Sequence, residues 1–144
     1  MNQSKFLDLV SKHEGLRLEM YHDTVGVPTI GYGHNLLQPI SAAAAMLILE
    51  DDVEIVFQEL DERLYWWRDL PEPAQMVVAS MVFNMGYPRF SRFKKFISAL
   101  EDRHWDLAAY EMEDSLWFQQ VGNRGKELRD MMLECNGLET QAGS

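Results

Sequence analysis

Glu14, Asp23 and Thr29 lie in one short stretch, His13-Glu-Gly-Leu-Arg-Leu-Glu-Met-Tyr-His-Asp-Thr-Val-Gly-Val-Pro-Thr-Ile-Gly-Tyr-Gly-His34. Eight residues separate the Glu from the Asp, and five separate the Asp from the Thr. Two carboxylates in unlike surroundings are the minimum equipment for cutting a glycosidic bond. One protonates the leaving oxygen. The other stays ionised and steadies positive charge on the sugar, and a hydroxyl helps it hold the attacking water.

A general acid must hold its proton near neutral pH. Glu14 falls in the last turn of the first expected helix, where unpaired carbonyls disfavour a carboxylate. Burial under a neighbouring hairpin would act in the same direction. Each residue also has a plainer use. Glu14 fits an exposed helix, Asp23 fits a turn that it bonds itself, and Thr29 fits a strand.

The elements that must position these groups read as follows. Phe6, Leu9, Val10 and His13 keep helical spacing over Ser4–Glu14, and Gly15 stands where a C-terminal cap belongs. Leu16, Leu18 and Met20 then alternate with Arg17, Glu19 and Tyr21, the period of a strand. Thr24-Val-Gly-Val-Pro28 is a turn, and Thr29-Ile-Gly-Tyr-Gly33 is a second strand. Its glycines admit close approach of a chain segment or a ligand.

Ser41 is a good N-cap for a long helix to about Leu64, on the order of 35 Å. Its apolar stripe is Met46, Leu49, Val53, Val56, Phe57, Leu60 and Leu64, and its acidic face reads as solvated. Further helices are expected near 73–85, 90–102, 104–114 and 123–135, with a short turn around 116–120. The fold class is therefore α+β. A small hairpin lobe (about 15–40) is joined by a linking helix (about 41–64) to a larger helical lobe (about 71–136), on which helix one packs. Residues 1–136 form a single catalytic domain, and 137–144 form a frayed tail.

Of the 144 residues, 47% are hydrophobic, enough for one sizeable core. The single cysteine, Cys135, excludes an intrachain disulfide. No secretory signal is read at the N-terminus, and no apolar run is long enough to span a bilayer. The net charge is −10. Residues 1–72 hold 5 Lys+Arg against 13 Asp+Glu, and residues 73–144 hold 8 against 10. This argues against nucleic acid and against an anionic membrane as partners. Arg89, Arg92, Lys94 and Lys95 form the one basic cluster. It reads first as a solvated helix face, with a local anion as the alternative.

The spacing Glu-x8-Asp-x5-Thr, followed by Ile-Gly-Tyr-Gly-His, resembles the phage-type lysozymes of glycoside hydrolase family 24. Ser80-Met-Val-Phe-Asn-Met-Gly86 is similar to that family's central helix. His104-Trp-Asp-Leu-Ala-Ala109 and Gly122-Asn-Arg-Gly-Lys126 are similar to its later helices. The ordered set covers nearly the whole chain.

The resemblance implies a lysozyme-like fold and cleavage of the β-1,4 bond between N-acetylmuramic acid and N-acetylglucosamine in peptidoglycan, with inversion. It implies no cofactor and no metal. Glu14 becomes the acid, and Asp23 and Thr29 hold the water. Tyr21, Tyr32, Phe83 and Asn84 are candidates to touch the sugars. Arg124 is expected to pair with Glu14, His34 with Asp52, and His13 with Glu127. Two features depart from the family: the loop from His34 to Ser41 is short, and the best-known relatives are basic.

The functional expectation is a monomeric endolysin, held in the host cytoplasm before lysis and acting on periplasmic peptidoglycan after a holin opens the membrane. Three alternatives stay open: a lytic transglycosylase on the same fold, a non-catalytic glycan-binding or virion module, and an antibacterial effector.

Overall fold

The computed structural model describes residues 1–143, with side chains to Leu138. It is 68% helical with one small antiparallel sheet, which is the expected α+β, lysozyme-like class. The chain divides into two compact units, Met1–Leu47 and Ile48–Ser144, and each is described by itself.

The first unit opens with α1 (Gln3–Glu14). The Asn2 side chain caps it, accepting from the Lys5 amide at 3.0 Å, and Gly15 ends it in a left-handed conformation, φ 75°. Strands β1 (Arg17–His22), β2 (Pro28–Gly31) and β3 (His34–Asn35) follow, in the order β1-β2-β3. Tyr21 pairs with Thr29, His22 with Pro28, and Thr29 in turn with Asn35. The register is irregular between Arg17 and Tyr21. The third strand was not expected, because two residues are too few to show an alternating pattern.

Helix α2 (Ala42–Arg63) starts in the first unit and continues in the second. Ser41 caps it as expected, its Oγ accepting from the Ala44 amide at 3.1 Å. A short 3-10 turn, Trp67–Asp69, leads to α3 (Glu72–Met85). The helix expected near 90–102 is α5 (Lys94–Glu101), and a separate short helix, α4 (Tyr87–Phe90), precedes it. Helices α6 (Trp105–Glu113), α7 (Leu116–Val121) and α8 (Asn123–Gly143) complete the chain. The turn expected around 116–120 is thus helical. Helix α8 extends beyond the 123–135 pattern, and the tail call falls partly on residues outside those described.

Every buried hydrophobic side chain among the described residues is at Leu60 or later. The core of the second unit gathers Leu60 and Leu64 of α2 with Met81, Phe90, Phe96, Trp105, Met112 and Met132. Phe90 and Phe96 meet edge to face at 6.2 Å, an arrangement that suits the ring quadrupoles. Cys135 is fully buried in this core. Asp61 ties the end of α2 to the 3-10 turn. It accepts from Trp67 Nε1 at 2.7 Å and from Arg68 Nε and Nη2 at 2.7 and 3.2 Å. The guanidinium of Arg68, and then the indole N–H, hold its carboxyl below the usual carboxylate range.

Of the apolar stripe read along α2, only the later part is buried here. Leu60 and Leu64 are in the core and Val56 and Phe57 pack against it, whereas Met46 and Leu49 are exposed.

Candidate active site

Glu14, Asp23 and Thr29 all belong to the first unit. Glu14 closes α1, and the Gly15 amide returns to Ser11 O at 2.9 Å. Its side chain reaches the β2–β3 turn. A Cβ built on Gly33 would lie 2.8 Å from Glu14 Oε2 and 3.2 Å from Cδ. Gly33 also has φ 79°, a conformation that side chains resist. Of the two uses that the strand glycines suggested, close approach to a chain segment is the one realised here, and the segment is the Glu14 carboxyl.

Asp23 does two things at once. Its Oδ1 accepts from the Val25 amide at 2.9 Å and the Val27 amide at 2.8 Å. Its own amide donates to Val27 O at 2.9 Å. This is the self-bonded turn that aspartate favours. Oδ2 has no hydrogen-bond partner within the unit, so the same carboxylate keeps one oxygen for other work. The turn fixes the side chain without using all of it.

Thr29 is the only polar or charged side chain buried among the described residues, at 4% exposure. Its hydroxyl donates to Val27 O at 2.8 Å. With that proton committed, what Oγ1 can offer to a water is a lone pair. Asp23 follows the end of β1 and its amide bonds Val27 O, so that Thr29, two residues on from Val27, is its diagonal neighbour on the facing chain. Such diagonal neighbours are on the order of 7–8 Å apart at the backbone, within side-chain reach of one small molecule.

Tyr21 is half-buried with the Arg17 guanidinium 4.2 Å above its ring, and Tyr32 is 53% exposed between Gly31 and Gly33. His34 is half-buried, and its buried Nε2 has no partner within the unit. In the second unit, Asn84 Oδ1 accepts from Trp117 Nε1 at 3.1 Å, which fixes the amide and leaves its N–H groups as donors. Phe83 lines a cavity of about 520 Å³ with Leu49, Phe57 and Met76. Its walls are mostly apolar and include none of Glu14, Asp23 and Thr29. Arg124 is exposed near the start of α8, and Asp52 is on the exposed part of α2. The expected pairs Glu14–Arg124, His34–Asp52 and His13–Glu127 each join one unit to the other. Among the described residues no cluster of His, Cys, Asp or Glu has the makings of a metal site.

Sequence reading missed the Gly33–Glu14 contact and the Asn84–Trp117 bond. The Gly-Tyr-Gly pair signalled the first. Nothing local signals the second, whose partners stand 33 residues apart.

A family model described as phage lysozyme matches residues 11–132. The chain is 30% identical to probable T4-type lysozyme 2 of Dictyostelium discoideum, over 87% of this chain and 91% of that protein. It is 28% identical to probable T4-type lysozyme 1 of the same organism, with the same coverage. An endolysin of Acyrthosiphon pisum secondary endosymbiont phage 1 is 32% identical over 60% of this chain and 61% of its own length.

Proposed function

The chain belongs to the phage lysozyme family and is a peptidoglycan-hydrolysing lysozyme; from that premise we propose that it cuts the β-1,4 bond between N-acetylmuramic acid and N-acetylglucosamine with inversion. Glu14 gives its proton to the glycosidic oxygen as the bond from that oxygen to C1 breaks. A water donates one hydrogen to Asp23 Oδ2 and the other to Thr29 Oγ1, which leaves an oxygen lone pair for C1. As the new bond forms, the first of these protons passes to Asp23. Exchange with solvent then restores both carboxyls.

The observation that carries this reading is the pairing of a turn-locked carboxylate with a buried hydroxyl. Asp23 has one oxygen engaged by Val25 and Val27, and Thr29 has its proton engaged by Val27. Both are held before substrate arrives, so little ordering remains to be done at the transition state.

On the same reading Tyr21, Tyr32, Phe83 and Asn84 contact the sugars. Arg124 faces Glu14, and His34 pairs with Asp52, which would satisfy the buried Nε2. The enzyme acts as a monomeric endolysin that reaches the periplasmic peptidoglycan from the host cytoplasm through a holin lesion. Similarity to an endolysin supports this, and among the described residues no helix is long and apolar enough to cross a membrane.

The test is turbidity loss of purified peptidoglycan, wild type beside Glu14→Gln, with products identified by mass spectrometry and the new anomeric centre by NMR. A hydrated, inverted reducing end from wild type and none from the variant is expected. A 1,6-anhydro product, or full activity in Glu14→Gln, overturns the assignment.

A further inference from the structure

The 23 carboxylates of this chain are unevenly placed. Residues 73–100 contain none of them, yet this stretch carries Arg89, Arg92, Lys94 and Lys95. The remaining residues hold 9 Lys+Arg against all 23 Asp+Glu. A chain of net −10 therefore carries a compact positive pole.

The fold presents that pole outward. Helices α4 and α5 are pinned from beneath by Phe90 and Phe96, exposed by 0% and 1%. Tight turns close the segment: the Arg92 amide donates to Arg89 O at 3.1 Å, and the Phe93 amide to Phe90 O at 3.0 Å. Arg89, Arg92, Lys94 and Lys95 are all exposed. Among the described residues none of them has a carboxylate partner, whereas Arg68 and Arg129 do.

Two of these cations also stand where helix stability would not put them. Lys94 and Lys95 are the first two residues of α5, where the helix dipole disfavours positive charge, and Phe93 provides no side-chain cap. Arg92, Lys94 and Lys95 line a groove of about 330 Å³ that Glu111 and Asp114 also line. Unpaired cations at the wrong end of a helix, on an acidic protein, are poorly explained by folding. They are well explained by a polyanionic partner that they meet.

We propose that the Arg89–Lys95 segment is an electrostatic wall-binding surface that engages the carboxylates of peptidoglycan stem peptides. The proposal rests on the peptidoglycan reading above and deepens it. The surface turns the positive pole toward an anionic sacculus that would otherwise repel the molecule.

The test compares wild type with R89Q/R92Q/K94Q/K95Q on purified sacculi stripped of other polymers. At low salt the variant should bind at least tenfold more weakly and show a raised KM at unchanged kcat. Its binding should also depend less on salt. Its Tm should stay level or rise slightly, since two lysines leave the start of α5. Amidation of the sacculus carboxylates should erase the difference between the two proteins. The opposite variant, E111Q/D114N, should bind sacculi more tightly than wild type.

Unchanged binding and salt dependence in the quadruple variant overturns the proposal, as does a difference that survives amidation. Equal or tighter binding of wild type to phosphatidylglycerol vesicles or duplex DNA overturns it too. Wild type that binds sacculi through these residues but releases no product sinks the enzymatic reading and leaves the surface standing.

Discussion

Gly33→Ala probes the site through a residue that takes no part in the chemistry. Two effects are expected, and they separate. The first is backbone strain. Gly33 has φ 79°, and an L-residue there costs about 1–2 kcal/mol, or roughly 3–8 °C in Tm for a chain of this size. The second is displacement. The new Cβ would lie 2.8 Å from Glu14 Oε2, and ordinary contact begins at 3.4 Å, so the carboxyl must retreat by about 0.6 Å. The end of a Glu side chain moves cheaply, so this adds little to the stability loss. It acts on catalysis instead, where misplacement by ~1 Å can cost on the order of 100-fold, and a loss of about tenfold in kcat is expected. Gly31→Ala is the control. Gly31 has φ 71° in the same hairpin, with nothing within 4 Å of its added Cβ. It bears the same strain without touching Glu14. The assay is peptidoglycan turbidity at a temperature where both variants are folded, beside thermal melts. Equal activity losses in the two variants would refute the claim that Gly33 seats the catalytic carboxyl.

Three further outcomes follow from the same contacts. Asp23→Asn keeps an oxygen for the Val25 and Val27 amides but loses the charge, so Tm should hold while hydrolysis falls at least 100-fold; Asp23→Ala should lose Tm as well. Thr29→Val removes the hydroxyl proposed to meet the water and one of the two bonds to Val27 O, which keeps the bond from the Asp23 amide; it should cost about 0.5–1 kcal/mol in denaturant melts and reduce kcat, and Thr29→Ser should restore most of both. Asp61 has a folded-state pKa held below the ordinary value by Arg68 and Trp67. Its contribution is therefore present above the unfolded-state pKa and lost as pH falls through the folded one. The Tm gap between wild type and Asp61→Asn should be constant near neutrality and close under acid; a gap that widens on acidification would contradict the assignment.

Much of the fold was legible locally because caps and breakers act over three or four residues. Gly15, Ser41, Gly86 and Gly122 each end or begin a helix where the pattern says they must. The split of α4 from α5 was not legible, since Phe90, Phe93 and Phe96 keep an unbroken apolar spacing across it. Burial along the α2 stripe was not legible for a related reason. Periodicity reports which side chains are apolar, while burial depends on what packs against them, and in the second unit only the stripe from Val56 onward has that cover.

The site divides in the same way. Sequence alone determined the residue types and the order Glu14, Asp23, Thr29, and the ordered motifs that resemble the lysozyme family carried the reaction class. Tertiary structure decided how each is used. It committed one oxygen of Asp23 to a turn and left the other, aimed the Thr29 proton at Val27 O, and laid the Glu14 carboxyl against Gly33. It also set four cations outward on one anchored segment of an acidic chain. Those outcomes depend on strand register, on positive φ and on what lies beneath a helix, which spacing along the chain does not encode.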